Sequence, residues 1–180
     1  GDGDGFSIGG NHFLHACRRN IDMTYIVMDN RIYGMTKGQP SPTTEPDWDT
    51  AIAPGGTGLS PFHPLVVALA SGANFIARSF SGDLAGTAKM IVEAIRHPGF
   101  SFLQILSPCV TFRPDQKKGW KDMVHAAMVP ETDDPGRAAR RLMTDDGFNT
   151  GVLYRGHRPP YQPHALAHLD PAQLEAEFAL

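Results

Sequence analysis

Residues 22–30 read DMTYIVMDN and predict a β-strand. From Met23 to Met28 the side chains are continuously apolar or β-branched, without alternation of polar and apolar positions. Such a run is typical of a parallel strand that is covered on both faces. The run ends in Asp29 and Asn30, so this strand is expected to deliver polar side chains to one edge of a sheet.

Two further apolar runs predict strands, NFIARSF at residues 74–80 and FSFLQILSP at residues 100–108. Helical patterns separate the strands, and they cover residues 7–20, 60–72 and 81–97. Because helices and strands alternate along the chain, the sequence predicts an α/β fold with a doubly wound, mostly parallel sheet. The long segment between the first strand and the second helix, residues 30–60, has no clear period, and loops of that length are uncommon unless they are functional.

The composition of the chain changes after about residue 112. Residues 113–180 contain many prolines, histidines and charges, with a helix predicted at 135–144, a short strand at 151–156 and a terminal helix at 171–180. We therefore expect a domain over residues 1–112 and an irregular C-terminal extension over residues 113–180. The extension is predicted to pack on the domain or on a partner subunit.

Charge and composition exclude several classes of protein. A net charge of −3 and a pI near 6.2 give no reason to expect nucleic acid or an anionic membrane as a partner. No apolar run approaches the roughly 20 residues that span a bilayer, and no signal peptide is visible. Two cysteines are too few for a disulfide scaffold, so we expect a reduced, cytoplasmic setting. The chain lacks an initiator Met and is expected to be partial.

Two polar loops are predicted to meet at the edge of the sheet. Ligands of α/β sheets bind beyond the carboxyl ends of the strands, and one helix plus one strand separates GDGDG, residues 1–5, from MDNRIYGMT, residues 28–36. The glycines would let backbone N–H groups approach a phosphate. Oxygen ligands of the kind that Mg²⁺ prefers are offered by Asp2, Asp4, Asp29 and Asn30. The two loops together thus suit a magnesium–diphosphate ligand, although GDG alone is more often an ordinary turn.

The spacing of these loops also resembles a known motif. GDG followed by an Asn 28 residues after Asp2 is the pattern of thiamine diphosphate enzymes. The longer stretch GDGDGFSIGGNHFLHACRRNID…YIVMDNRIYGMTKGQPSPTTE resembles the β subunit of 2-oxoacid:ferredoxin oxidoreductases, particularly the 2-oxoglutarate type. The resemblance is strong over residues 1–45 and extends to about residue 112. It implies the thiamine diphosphate-binding fold, truncated at its N-terminus.

The resemblance also implies a role for individual residues. Magnesium would be held by the carboxylate of Asp2, the side-chain amide of Asn30 and the backbone carbonyl of Ile32. The cofactor would be contacted by Asp2, Gly3, Asp4, Gly34, Met35 and Thr36, with Asp4 acting chiefly through its backbone N–H. No acid–base catalyst can be assigned in this chain, since the Glu that acts on the aminopyrimidine is expected on the α subunit.

Two more residues receive a role from the resemblance. Lys37 would enter the substrate pocket and pair with the distal carboxylate of a 2-oxoacid such as 2-oxoglutarate; a solvated loop lysine is the alternative. Cys109, in the segment LSPCVTF, would be one ligand of a [4Fe–4S] cluster whose other thiolates lie outside this chain. The alternative is a small buried side chain, the usual environment of a lone Cys and the expected one for Cys17.

The implied activity is the oxidative decarboxylation of a 2-oxoacid, 2-oxoglutarate in the first place, to its acyl-CoA. Electrons would pass through the cluster to ferredoxin, and the expected partners are the α subunit, ferredoxin, coenzyme A and the 2-oxoacid. Two alternatives remain open. One is a thiamine diphosphate-dependent decarboxylase or synthase without redox function, and the other is a degenerate subunit that does no chemistry.

Overall fold

A five-stranded sheet forms the centre of the molecule. The computed structural model describes residues 1–128, 130–163 and 175–176. The strands in chain order are Met23–Asp29 (β1), Ile32–Tyr33 (β2), Gln39–Pro40 (β3), Phe75–Phe80 (β4), Phe100–Leu106 (β5), His125–Ala126 (β6) and Asn149–Arg155 (β7). The large sheet has the order β1-β5-β4-β7-β6, and β2 and β3 form a separate hairpin. Only the β4–β7 pair of the large sheet is antiparallel.

Helices cover both faces of the sheet. They are Asp2–Phe6 (α1), Gly10–Arg19 (α2), Pro64–Ala70 (α3), Leu84–Arg96 (α4), Pro114–Met123 (α5) and Pro135–Met143 (α6). Phe13 of α2 and Leu65 of α3 pack with Phe102 on one face, whereas Ala94 of α4 packs with Leu103 on the other. The predicted α/β class with a mostly parallel sheet is confirmed. Within the described ranges, none of the helices has the length and apolar character needed to cross a membrane.

The strand at residues 23–29 forms as predicted, but its expected burial on both faces is wrong. β1 lies at the edge of the sheet, next to β5, and Ile26 and Met28 are 39% and 45% exposed. β5 takes the central place instead, between β1 and β4, and all seven of its residues are buried. The run at residues 100–108, which the sequence also predicts as a buried strand, is thus the one that is covered on both faces.

Two helices differ from the predictions. Residues 2–6, expected as a loop, form the single short turn of α1 with Gly1 as its N-cap. Residues 114–123 form α5, which the sequence analysis missed because Gly119 and the many charges hide its pattern. The helix begins at Pro114, a residue whose fixed φ suits the first turn.

The chain beyond residue 112 contributes to the same sheet. β7 pairs with β4, and β6 pairs with β7, while α6 packs against α3. The division of the chain at residue 112 stays a prediction. The terminal helix predicted at 171–180 lies almost entirely outside the described residues.

Residues 156–161, which we term the strap, cross the amino ends of the parallel strands. The side chain of Asn74 donates to the Pro98 carbonyl at 2.8 Å and accepts from the Arg158 amide at 3.0 Å. Asn20, a left-handed C-cap with φ of 51°, donates to the Pro159 carbonyl at 2.8 Å and accepts from the Phe100 amide, also at 2.8 Å. Two buried asparagines thus tie the strap to the bottom of the sheet.

Candidate cofactor and metal site

Most of the candidate residues line one cavity, which lies at the carboxyl end of β1. It has a volume of about 500 Å³ and is formed by α1, the β2–β3 hairpin and the loop after β5. Its lining includes Asp2, Gly3, Asp4, Asn30, Ile32, Gly34, Met35, Thr36 and Cys109. Of the site residues predicted from the sequence, Lys37 and Asp29 do not line it. Two polar loops that are remote in sequence therefore meet beyond the carboxyl end of a strand, as the sequence predicted.

Asp2 and Asn30 lie side by side in this cavity. The Asp2 carboxylate is 1% exposed, and its Oδ1 lies 3.3 Å from the donating amide of Asn30. The Asn30 side-chain oxygen accepts from the Ile32 amide at 3.1 Å, which fixes the turn between β1 and β2. A nearly buried carboxylate is costly unless a cation or hydrogen bonds compensate its charge.

The part of the cavity formed by Asp2, Asn30 and Ile32, which we term the candidate metal corner, offers oxygen atoms that fit a magnesium ion. A carboxylate, a side-chain amide and a backbone carbonyl supply oxygens only, and Mg²⁺ completes its octahedron with water and phosphate oxygens. Within the described part of the chain, no group of three His, Cys, Asp or Glu side chains could hold a metal by itself. An ion at this place would therefore depend on a ligand that brings its own oxygens, as a diphosphate does.

Gly3 has a steric reason to be glycine. A Cβ atom on Gly3 would lie 2.3 Å from Cε1 of Tyr33, far inside van der Waals contact. The same tyrosine donates its hydroxyl to the Gly3 carbonyl at 2.9 Å. The ring of Tyr33 thus supports the first turn of α1, whose opening amides have no partner within the helix. Free amides beside a glycine are suited to a phosphate.

Asp29 faces away from the cavity, although the loop pattern alone offered it as a ligand. Its carboxylate accepts from the Gln104 side chain at 2.6 Å and from the Thr43 hydroxyl at 2.9 Å. Burial raises the pKa of Asp29, and the nearby charge of Asp2 raises this pKa further. Asp29 therefore belongs to a polar layer beneath the candidate metal corner.

The hairpin that follows β1 is the most exposed part of the site. Met35 is 99% exposed, and Thr36 donates its hydroxyl to the Gln39 side chain at 2.6 Å. Lys37 is exposed, has a φ of +85° and does not line the cavity. Its contact with a substrate stays a prediction. The positive φ, unusual for a residue other than glycine, fixes the direction in which the chain leaves the hairpin.

Cys109, in the loop after β5, also lines the cavity. Its Sγ lies 3.6 Å from where a Cβ on Gly34 would be, and the side chain is half-buried. The Cys109 amide donates to Oε1 of Gln116 at 3.2 Å, and Nε2 of Gln116 donates to the Asn30 carbonyl at 3.3 Å. Gln116 of α5, a helix that was not predicted from the sequence, therefore joins the loop after β5, which carries Cys109, to the turn after β1, which carries Asn30. The cluster role of Cys109 stays a prediction.

The other cysteine has a different environment. Cys17 lies on the buried face of α2, within the core, and burial raises its pKa to about 12. A thiol with so high a pKa is not ionised at neutral pH and is inert. Cys17 is thus a core residue, as predicted.

An ion-pair cluster fixes the long loop that follows the hairpin. Glu45 accepts from Arg31 at 2.8 Å and from Arg113 at 3.0 Å. Arg31 has a φ of +58°, and its guanidinium lies 5.0 Å from the Trp120 ring centroid. The hydrogen bonds of the two arginines lower the pKa of Glu45 even though burial opposes that change. This loop carries Thr43, which sequence reasoning missed; the only signal was the unusual length of the loop.

Comparison with protein families identifies the kind of domain to which these residues belong. Residues 1–105 match the family described as "Thiamine pyrophosphate enzyme, C-terminal TPP binding domain". The chain is 46% identical over 111 residues to the 2-oxoglutarate synthase subunit KorB of Archaeoglobus fulgidus, covering 62% of this chain and 42% of that protein. It is 45% identical over 112 residues to the 2-oxoglutarate oxidoreductase subunit KorB of Mycobacterium tuberculosis, covering 62% of this chain and 30% of that one.

A solved structure is similar over a longer part of the chain. It is the 2-oxoglutarate:ferredoxin oxidoreductase of Magnetococcus marinus with 2-oxoglutarate, coenzyme A and succinyl-CoA bound. The TM-score is 0.83 at 40% sequence identity, covering 89% of this chain and 56% of that chain. The present chain thus spans less than half the length of the two curated relatives and about half of the structural neighbour.

Proposed function

Because the chain belongs to the thiamine pyrophosphate enzymes, through the C-terminal TPP-binding domain of that family, we propose that it is the cofactor-binding part of a 2-oxoacid:ferredoxin oxidoreductase β subunit. The observation that carries the proposal is the cavity of about 500 Å³ in which Asp2, Gly3, Asn30 and Cys109 lie together. Similarity to subunits named for 2-oxoglutarate supports the same substrate for this protein.

In this proposal the chain holds the cofactor and the metal. Asp2, Asn30 and the Ile32 carbonyl bind Mg²⁺, and the amides of Gly3 and Asp4 bind the diphosphate. Gly34, Met35 and Thr36 pass beside the cofactor, and none of their side chains takes part in proton transfer. When bound, thiamine diphosphate supplies the electron sink that lets a 2-oxoacid lose CO₂.

The proposed reaction converts a 2-oxoacid and coenzyme A into the acyl-CoA and CO₂, with two electrons transferred to ferredoxin. A [4Fe–4S] cluster needs four thiolates, of which Cys109 would supply one and segments outside this chain the others. The acid–base carboxylate is assigned to the α subunit, so the working site forms between subunits. A reduced cytoplasm is the compartment proposed for this chemistry.

The metal assignment can be tested by titrating thiamine diphosphate into the full-length β subunit, in complex with its α subunit, at several Mg²⁺ concentrations. Asp2→Ala should abolish Mg²⁺-dependent binding because it removes the carboxylate ligand. Asp4→Ala is the matched control, since the Asp4 contact is made by the backbone and should survive. Loss of binding in both variants, or in neither, would contradict the assignment.

The redox assignment is tested on the same complex purified without oxygen. We expect the visible absorption of an iron–sulfur cluster and reduction of ferredoxin by 2-oxoglutarate plus coenzyme A. Cys109→Ser should remove the absorption, whereas Cys17→Ser should keep it. A colourless protein that decarboxylates without reducing ferredoxin would instead identify a non-redox enzyme, and an intact complex that binds no cofactor would identify a degenerate subunit.

Lys37 is proposed to select the substrate. An unpaired carboxylate is costly to bury, so Lys37→Ala should raise KM for 2-oxoglutarate far more than KM for pyruvate. Loss of a charge-assisted hydrogen bond costs about 1.5–3 kcal/mol, or roughly 10- to 100-fold in KM. Lys89→Ala, which removes an exposed lysine on α4, is the control. Equal increases for both substrates would remove Lys37 from the pocket.

A further inference from the structure

A single hydroxyl, that of Thr43, lies between the two carboxylates at the candidate metal corner, so its one proton is shared between two acceptors. Oγ1 of Thr43 lies 3.0 Å from Oδ2 of Asp2 and 2.9 Å from Oδ1 of Asp29. All three side chains are buried, so water does not screen these contacts. Asp2 and Asp29 are separated by a helix and a strand, and Thr43 reaches both from the long loop after the hairpin.

The layer beneath Thr43 is fixed by the centre of the sheet. Oδ2 of Asp29 accepts from Gln104 of β5 at 2.6 Å, and Oε1 of Gln104 accepts from Arg78 of β4 at 2.8 Å. Arg78 in turn forms a buried ion pair with Asp145. A continuous line of hydrogen bonds therefore joins Thr43 to two central strands, and this line restricts where the Thr43 hydroxyl can lie.

The geometry leaves Asp2 with one short hydrogen bond in the described part of the chain. Thr43 holds Oδ2 at 3.0 Å, whereas the Asn30 amide lies 3.3 Å from Oδ1. A carboxylate held by one oxygen cannot rotate freely about its terminal torsion. The other oxygen, Oδ1, lies beside the backbone amide of Asn30, and both residues line the cavity.

We propose that Thr43 is a positioning residue for the metal-binding carboxylate of Asp2: its hydroxyl holds Oδ2 and so directs Oδ1 to the cation. The inference rests on the proposed function, because it requires that Asp2 binds the magnesium of a bound thiamine diphosphate. Thr43 does not touch the metal itself. Residues that orient metal ligands in this way commonly change metal affinity 10- to 100-fold when they are substituted.

The test measures metal affinity rather than turnover. In the full-length αβ complex, calorimetry gives the free Mg²⁺ concentration at which thiamine diphosphate binding is half-maximal, and Mn²⁺ paramagnetic resonance reports the metal environment. Thr43→Val keeps the shape but loses the hydroxyl, whereas Thr43→Ser keeps the hydroxyl. Thr44→Val is the matched control, since the buried Thr44 hydroxyl donates to the Arg31 carbonyl at 2.6 Å and not to a carboxylate.

We expect Thr43→Val to raise the half-maximal Mg²⁺ concentration roughly 10- to 100-fold, with Thr43→Ser and Thr44→Val close to the parent complex. Thr43→Ala, which also lacks the hydroxyl, replaces Thr43→Val if that variant does not fold. If the parent complex binds Mg²⁺–thiamine diphosphate and the variant without the hydroxyl shows the same Mg²⁺ dependence, the inference about Thr43 is overturned while the proposed function stands. The inference would also be overturned if Thr43→Ser or Thr44→Val raised the half-maximal Mg²⁺ concentration as much as Thr43→Val does. Packing of the loop, and not the Thr43 hydroxyl, would then be the cause. A parent complex that binds no Mg²⁺–thiamine diphosphate would overturn both the inference and the proposed function.

Discussion

Gly3→Ala tests whether the close contact between Gly3 and the Tyr33 ring fixes the position of the first turn of α1. The added methyl carbon would lie 2.3, 2.6 and 2.8 Å from three ring atoms of Tyr33, so either the turn or the ring must shift. A shift of Tyr33 also breaks its hydrogen bond of 2.9 Å to the Gly3 carbonyl. Overpacking of this kind costs about 1–3 kcal/mol, and the better helix propensity of Ala returns about 1 kcal/mol at most.

The lost hydrogen bond of Tyr33 adds about 1 kcal/mol, so the net expectation is a loss of roughly 1–3 kcal/mol in the free energy of unfolding. For a chain of this size, each kcal/mol lowers Tm by about 2–4 °C. Because the Gly3 amide moves with the turn, the affinity for thiamine diphosphate should fall about tenfold for each 1.4 kcal/mol of binding lost. The assays are urea unfolding followed by circular dichroism and calorimetric titration of the cofactor at saturating Mg²⁺.

Gly10→Ala is the matched control for this experiment. Gly10 is also helical, but an added Cβ would meet nothing within 4 Å. This variant should be neutral or slightly stabilising and should bind the cofactor normally. In the Gly3→Ala background, Tyr33→Ala should couple with the first substitution, because removing the ring removes the overlap. A Gly3→Ala protein with unchanged stability and unchanged affinity would refute the reasoning.

Three further outcomes follow from polar contacts that are buried or half-buried. Arg78→Met should lower the free energy of unfolding by about 3–5 kcal/mol, and Arg78→Met with Asp145→Leu should recover much of that loss in urea denaturation, since no buried charge is then left unpaired. Asn74→Ala should cost about 1–3 kcal/mol in the same assay, because it leaves backbone groups of the strap without partners, while calorimetry should give an unchanged cofactor affinity. The pKa of Glu45 is lowered in the folded protein, so its stabilising effect is present above the unfolded pKa near 4.5 and is lost as the pH falls through the folded pKa. The stability difference between the parent protein and Glu45→Gln should therefore shrink when urea unfolding is repeated at decreasing pH, and a difference that grew would contradict this sign.

Local pattern was sufficient for most of the sheet. The apolar runs at 74–80 and 100–108 became β4 and β5 because central strands must be apolar on both faces. The order of strands depends on pairing between distant segments, and local pattern does not encode it. The run at 23–29 was therefore assigned to the interior, although Ile26 and Met28 are partly exposed at the edge.

The residues of the candidate site were likewise only partly predictable from the sequence. Asp2 and Asn30 could be named from the sequence because a helix and a strand of ordinary length carry them to one edge of the sheet. Thr43 and Gln116 could not, since their contacts with Asp2 and Asn30 join positions 41 and 86 residues apart through loop and helix geometry. Side chains that touch a ligand follow a recognisable spacing, whereas the side chains that orient them depend on the completed fold.

The strap has a practical consequence for handling the protein. It crosses the amino ends of the strands, whereas the cavity opens at their carboxyl ends, so the two lie at opposite ends of the sheet. Tyr161, at the end of the strap, is 56% exposed. A biotin introduced there would immobilise the protein with the cavity directed away from the support, leaving it open to small molecules in a flow cell.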